Sequence, residues 1–292
     1  MSHHVLRSPE IMGLVFKMSS MLTAVAFSMA DASAREVFMD FMGNRVRIAL
    51  CRFIPAGTIS SFFSLLHSTK GGVSGSVATF LYCCNVHVCA LDLPSDLNIL
   101  VPNGRFRRWE SWLLSRGATR VRSGQPMARF AGCVATFARF TMSNEGGSMA
   151  TITVSESTTD SLLHPLFYSE LTSQMTVLTA TRLVSYYPEL TGNLKAVVGW
   201  MRQRNALSHR VFKLHGIVIY PSTRTLGVPC GEACPFMWRR TTDRGIDAIA
   251  WGGVGGNLAQ EKDYLAKCFV RWRLGRTCSN PCCVNWFAGF RA

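Results

Sequence analysis

The stretch Phe130-Ala-Gly-Cys-Val-Ala-Thr-Phe-Ala-Arg-Phe140, then Ser143-Asn-Glu-Gly-Gly147 and Met149-Ala-Thr-Ile-Thr-Val-Ser155, decides the fold class of this 292-residue chain. Both outer segments are rich in β-branched and aromatic residues, which suit a pleated, half-buried surface, and the Gly-Gly between them signals a hairpin or loop. The same texture recurs at 77–91, 175–187 and 211–220, which also read as strands. Between the last two, Leu194, Val197, Val198 and Met201 fall at helical spacing, with Lys195, Arg202 and Arg204 largely off that stripe, so a helix is expected there. The expected class is therefore α+β: mainly β with flanking helices, and a jelly-roll-like antiparallel core with one inserted helix. The expected division is a helical region leading into strands over 1–94, a β core over 95–228, and a basic, cysteine-rich region over 229–292.

The charge is strongly positive and unevenly spread. Lys and Arg number 31 against 17 Asp and Glu, a formal charge of +14, and 25 of the basic residues are Arg. Residues 1–96 carry +1, 97–140 carry +7, 141–192 carry −4, 193–240 carry +7, 241–261 carry −2 and 262–292 carry +5. Apolar residues at 48% and charged residues at 16% exclude a disordered basic polymer. Three basic blocks in a folding chain point to a polyanion, because each neutralised phosphate releases counterions. Arg alternates with aromatics at Arg105-Phe106-Arg107-Arg108-Trp109 and Phe269-Val270-Arg271-Trp272-Arg273, a pattern that would join phosphate contacts to base stacking. The competing reading is a solvated basic face whose aromatics point into the core. The expected nucleic-acid contacts are Arg105, Arg107, Arg108, Trp109, Arg116, Arg120, Arg122, Arg202, Arg204, Arg210, Lys213, Arg239, Arg240, Arg271, Trp272, Arg273 and Arg276.

Eleven cysteines include the pairs Cys230-x3-Cys234 and Cys278-x3-Cys282-Cys283. Four thiolates from two such pairs suit a structural zinc, and Cys230, Cys234, Cys278 and Cys282 are the expected ligands, against a default of reduced buried thiols. Residues 11–34 combine Lys17, an apolar run from Met21 to Ala30 and Ala32-Ser33-Ala34, the outline of a secretory signal. The alternative is an amphipathic helix packed on the body, with a second around 35–47. No apolar run reaches the roughly 18 to 20 residues of a spanning helix.

Catalytic signatures are thin. Trp251-Gly-Gly-Val-Gly-Gly256 lacks the Lys-Ser/Thr of a phosphate-binding loop, and Ser74 in Gly72-Val73-Ser74-Gly75 lacks the spacing of a nucleophile elbow. A Cys-His pair such as Cys230 or Cys234 with His215 meets only in space. The expectation is a protein that is not an enzyme.

One resemblance joins these pieces. Phe130-Ala-Gly-Cys-Val-Ala-Thr, the Gly146-Gly147-led strand, Leu183-Val-Ser-Tyr-Tyr-Pro188, a helix over 193–204, Gly216-Ile-Val-Ile-Tyr220 and Leu226-Gly227 together resemble the core of the thirty-kilodalton superfamily of plant-virus movement proteins. The match spans about 100 residues, a third of the chain. Where the family usually carries an Asp after the Gly-Gly-led strand, Glu156 or Asp160 would take its place. The resemblance implies a jelly-roll-like core, cooperative binding of single-stranded RNA or DNA, self-association, and action inside the host at plasmodesmata, with host membranes as partners. A jelly-roll capsid subunit is the first alternative and a secreted cysteine-rich protein the second.

Overall fold

A computed structural model describes residues 8–83, 93–124, 126, 128–143, 147–199, 212–214, 216–251 and 264–286. Its front is helical for local reasons. Helices α1 (Pro9–Met18), α2 (Met21–Ala30) and α3 (Ala32–Cys51) are separated by short capped breaks, where Ser20 Oγ accepts from the Thr23 N–H (3.2 Å) and Asp31 Oδ1 from the Ser33 N–H (2.9 Å). Along α3, Ala34, Phe38, Met42, Val46 and Leu50 recur every four residues and are all buried. The 11–34 segment with its signal-like features is thus a pair of packed helices, with Met12, Phe16, Met21 and Ala24 in the main core. Helix α4 (Ile59–Ser68) adds Phe62, Phe63 and Leu66 to the same core. Among the described residues no single helix is long and apolar enough to cross a membrane.

The sheet begins at β1 (Gly72–Ser74), turns at Gly75 with φ +72°, and enters α5 (Ser76–Cys83). Gly72 is required by a close approach, since a Cβ there would lie 2.5 Å from Val177 Cγ2. There follow β2 (Asp96–Val101), α6 (Phe106–Ser115), β3 (Thr119–Gly124), β4 (Val134–Ser143), β5 (Met149–Ser157), α7 (Leu163–Phe167), β6 (Thr176–Leu178) and β7 (Arg182–Ser185). Helix α8 (Pro188–Gly192) leads to β8 (Lys195–Val197), β9 (Phe212–Leu214), β10 (Ile217–Tyr220), β11 (Arg239–Arg240), β12 (Asp247–Ala250) and β13 (Arg271–Trp272). Eight strands form the main sheet in the order β12-β7-β6-β1-β2-β5-β4-β3, all neighbours antiparallel except β2 and β5. Two small sheets, β8-β10-β9 and β11-β13, complete the described residues.

Strand alternation decides what covers each face. Leu97, Ile99 and Val101 of β2, Ile152 and Val154 of β5, Phe140 of β4, and Leu178 and Leu183 of β6 and β7 face the layer of α1 to α6. Val177 and Val184 point the other way, onto a second core built from α7 and the C-terminal segment, with Leu265, Trp272 and Leu274. On that second face, the β2-β5-β4 half presents Asn98, Thr153, Ser155, Phe137 and Arg139 to a cavity.

The α+β class is therefore seen, and several finer expectations are corrected. The eight strands make one mixed sheet, where a jelly roll would divide them between two packed antiparallel sheets. The sheet also crosses both expected boundaries, taking β1 from before residue 95 and β12 from after 228. Residues 77–83 are helix and not strand: Val77, Ala78, Leu81 and Tyr82 are wholly buried between sheet and helices, and packing overrides their β-branched and aromatic texture. The inserted helix over 193–204 is replaced at its start by β8, because Leu194 turns at φ +52° and Lys195–Val197 then pair in parallel with β10. The rest of that helix, 200–204, lies outside the described residues.

Candidate metal centre and basic cleft

Two turns bring four cysteines together. Cys230 and Cys234 bracket a short 3-10 turn, and Cys278 and Cys283 bracket the turn made by Asn280. The four sulfurs lie within 4.8 Å of one another and all four residues are buried. The Cys230–Cys278 and Cys234–Cys283 sulfur separations are 3.6 and 3.7 Å, matching the roughly 3.8 Å edge of a tetrahedron with metal–sulfur bonds of about 2.3 Å. Asn280 Nδ2 donates to Cys230 Sγ (3.2 Å) and Asn285 Nδ2 to Cys234 Sγ (3.4 Å), donors that favour a thiolate over a thiol. Burial pushes the Cys230, Cys234 and Cys278 thiols up, Cys234 to about 11. Cys283 is held below its ordinary value although burial opposes this, because the Asn285 N–H and the neighbouring thiols donate to its sulfur. Four sulfurs this close cannot all ionise without a cation between them, and a divalent ion supplies that charge. The cluster can hold a metal ion.

Cys283, not the expected Cys282, is the fourth member of the cluster. The Asn280 side-chain oxygen takes the Cys282 N–H (2.9 Å) and its carbonyl takes the Cys283 N–H (3.1 Å), a turn that leaves Cys282 exposed and directs Cys283 inward. Adjacent cysteines are indistinguishable by spacing, so only the turn decides between them. His215, the partner considered for a Cys-His pair, lies outside the described residues, as does all of Gly252–Gly256.

Of the expected nucleic-acid contacts, three are core residues. Trp109 is fully buried in α6 and donates Nε1–H to Thr69 Oγ1 (3.0 Å). Trp272 stacks on Phe167 (centroids 4.0 Å, 9°) and donates to Tyr187 Oη (3.0 Å). Arg239, 2% exposed, donates to the Tyr186 carbonyl (2.7 Å) and the Gly245 carbonyl (3.2 Å), pairs with Glu232 at 3.2 Å and lies 4.9 Å from the Tyr187 ring centre. Burial also pushes the Tyr187 phenol up to about 12, with the nearby Arg239 charge opposing it. The interleaving in 105–109 is thus an amphipathic helix: Phe106, Trp109 and Leu113 turn inward, while Arg105, Arg107, Arg108 and Arg116 stay exposed. Arg120 and Arg122 are exposed on the edge strand β3, Arg120 paired with Glu110. Glu156, in the position that the family resemblance singles out, accepts from the Arg105 and Phe106 N–H groups (2.8 and 2.9 Å) at the start of α6. Arg202, Arg204 and Arg210 lie outside the described residues, and Lys213 is exposed on β9.

The first basic block stays apart, while the end of the second meets the third where β11 pairs with β13. Arg120 and Arg122 occupy one edge of the main sheet, while Arg239 to Arg276 gather beside β7 and β12 at the other. Seven strand spacings of about 4.8 Å put roughly 30 Å between those edges. Within the joined blocks lies a cleft of about 340 Å³ between α7 and β13. Trp238, missed in the sequence and 51% exposed, stands at its rim with the Arg273 and Arg271 guanidinium carbons 4.7 and 5.2 Å from its ring centre. Its sequence signal is Trp238-Arg239-Arg240, a further Arg-aromatic run.

A second cavity, of about 330 Å³, opens on the sheet face. Ser74, Gly75 and Asn98 line it, next to the start of α5, where Asp96 carboxylate oxygens accept from Ser76 Oγ (3.2 Å) and Asn98 Nδ2 (2.9 Å). Arg139 on its wall is directly opposite Arg122 of β3, a like-charge cross-strand pair that costs stability unless an anion is near. The strand-turn-helix frame around Ser74 was invisible while 77–91 read as strands. Compared with protein-family models, with curated proteins and with solved structures, the chain matches none of them.

Proposed function

We propose that this protein binds single-stranded nucleic acid through the surface of its cysteine-stapled C-terminal region, with zinc as the ion held by Cys230, Cys234, Cys278 and Cys283. The observation that carries the reading is the row of exposed Arg240, Arg271 and Arg276 and half-buried Arg273 around Trp238 and Phe269, beside the four buried sulfurs. Exposed arginines interleaved with aromatics are what a strand with free base faces requires. Four thiolates with amide donors suit zinc above harder ions. Filter binding of poly(U) over a salt series tests the reading: log affinity should fall linearly with log salt, and affinity indifferent to salt would overturn it. The narrower role, a movement-type protein that coats a viral strand cooperatively at plasmodesmata with host membranes, rests on the family resemblance of the sequence alone. Its test is whether the protein, expressed in leaf cells, concentrates at plasmodesmata.

The open sheet face favours a second reading, a phosphate-bearing small ligand. The turn at Gly75 aims the first N–H groups of α5 beside Asp96, an arrangement that can join a phosphate to a carboxylate-bound divalent cation. Phe130 and Phe137 give the same cavity apolar walls. Calorimetric titration with a nucleoside triphosphate, with and without Mg²⁺, should show Mg²⁺-dependent binding that Asp96→Asn removes; no binding in either condition ends this reading.

A further inference from the structure

We infer that the cleft between α7 and β13 takes up one unstacked base of a bound strand, with Trp238 as its stacking platform. The inference rests on the nucleic-acid reading above and adds to it a subsite for a single nucleotide. At about 340 Å³ the cleft is at the small end of ligand pockets, suited to one nucleotide and closed to a duplex. Its floor is filled, because the Trp272 and Phe167 rings lie face to face 4.0 Å apart and leave no slot between them. A base must therefore stack on exposed Trp238, taking the place over the ring that an Arg271 or Arg273 guanidinium holds in the free protein. The facing wall carries His164 and Tyr168, edge to face at 5.3 Å. None of the residues lining the cleft is acidic, and three are Arg. Apolar rings inside and guanidinium groups at the mouth sort a nucleotide by its parts: the base enters and the phosphate stays at the rim. Paired bases offer no free face, so the ligand is single-stranded or a free nucleotide.

Full-length protein is titrated with uridine 5′-monophosphate and, separately, with poly(U). The mononucleotide should bind and compete with poly(U), and Trp238→Ala should weaken it at least about fivefold, while Trp238→Phe, which keeps a stacking face, retains most of the affinity. Circular dichroism and melting of each variant report folding, and the Phe variant keeps the test decisive if the Ala variant unfolds. If poly(U) binds with its full salt dependence, uridine monophosphate does not compete, and Trp238→Ala changes nothing, the subsite is wrong and the broader reading survives. If uridine monophosphate binds through Trp238 but poly(U) binds no tighter, the subsite stands and the strand-binding reading falls. Binding of neither overturns both.

Discussion

At the scale of single residues, two neighbours of the same type do opposite work. Arg239 holds two backbone carbonyls and lies against Tyr187 and Trp272, whereas Arg240 is exposed. Arg239→Ala leaves buried acceptors unmatched and should lower unfolding stability by about 3 kcal/mol, while Arg240→Ala should stay within about 0.5 kcal/mol, as read from urea midpoints. The same contrast holds for cysteines. Cys283→Ser should abolish stoichiometric zinc binding and Cys282→Ser should leave it intact, as measured by metal analysis after gel filtration. Because burial raises three of the four thiols, zinc must displace protons, so its apparent affinity should weaken as pH falls and strengthen as it rises. Residue type and spacing announced a four-cysteine site and an arginine-rich surface. Which cysteine and which arginine took part depended on a turn at Asn280 and on burial, and neither is encoded in spacing.

At the scale of elements, amphipathic segments were legible and doubly covered ones were not. The α3 stripe and the β4–β5 hairpin read directly from their periods of four and two. Helix α5 did not, since it is buried against the sheet on one side and helices on the other, and so shows no polar face to mark its period. Strand β2 also passed unread, although Leu97, Ile99 and Val101 alternate. The four-cysteine cluster acts at this scale. A metal held there would tie Cys234 to Cys278 across the excursion that supplies β12 to the main sheet and Trp251 to its core. Chelation of the metal should therefore raise amide exchange at Asp247–Ala250 well before the β4–β5 hairpin changes, a difference that hydrogen-exchange mass spectrometry resolves.

For the whole molecule, composition counts charges without placing them. The first basic block and the joined second and third belong to opposite sheet edges and to different faces, α6 packing with the helical layer and β13 with the second core. One strand bridging both surfaces would have to wrap the protein. If the C-terminal surface is the interface, the triple change Arg271→Gln, Arg273→Gln and Arg276→Gln should flatten the log–log salt slope by about 2, since each phosphate contact to a single strand contributes about 0.7. The triple change Arg105→Gln, Arg107→Gln and Arg116→Gln should leave the slope in place.

The bond between the ends of the excursion also sets an order of events during synthesis. Strand β7 is an open hydrogen-bonding edge until β12 docks on it, and β12 is bounded on both sides by cysteines of the cluster, two of which, Cys278 and Cys283, emerge from the ribosome later than the strand itself. The nascent chain can assemble its helical layer and most of its sheet early, yet the last edge stays unprotected until those cysteines have emerged to close the cluster. If the cluster takes zinc as proposed, zinc supply during translation, more than zinc in the finished protein, would govern how much of the chain escapes edge-to-edge aggregation.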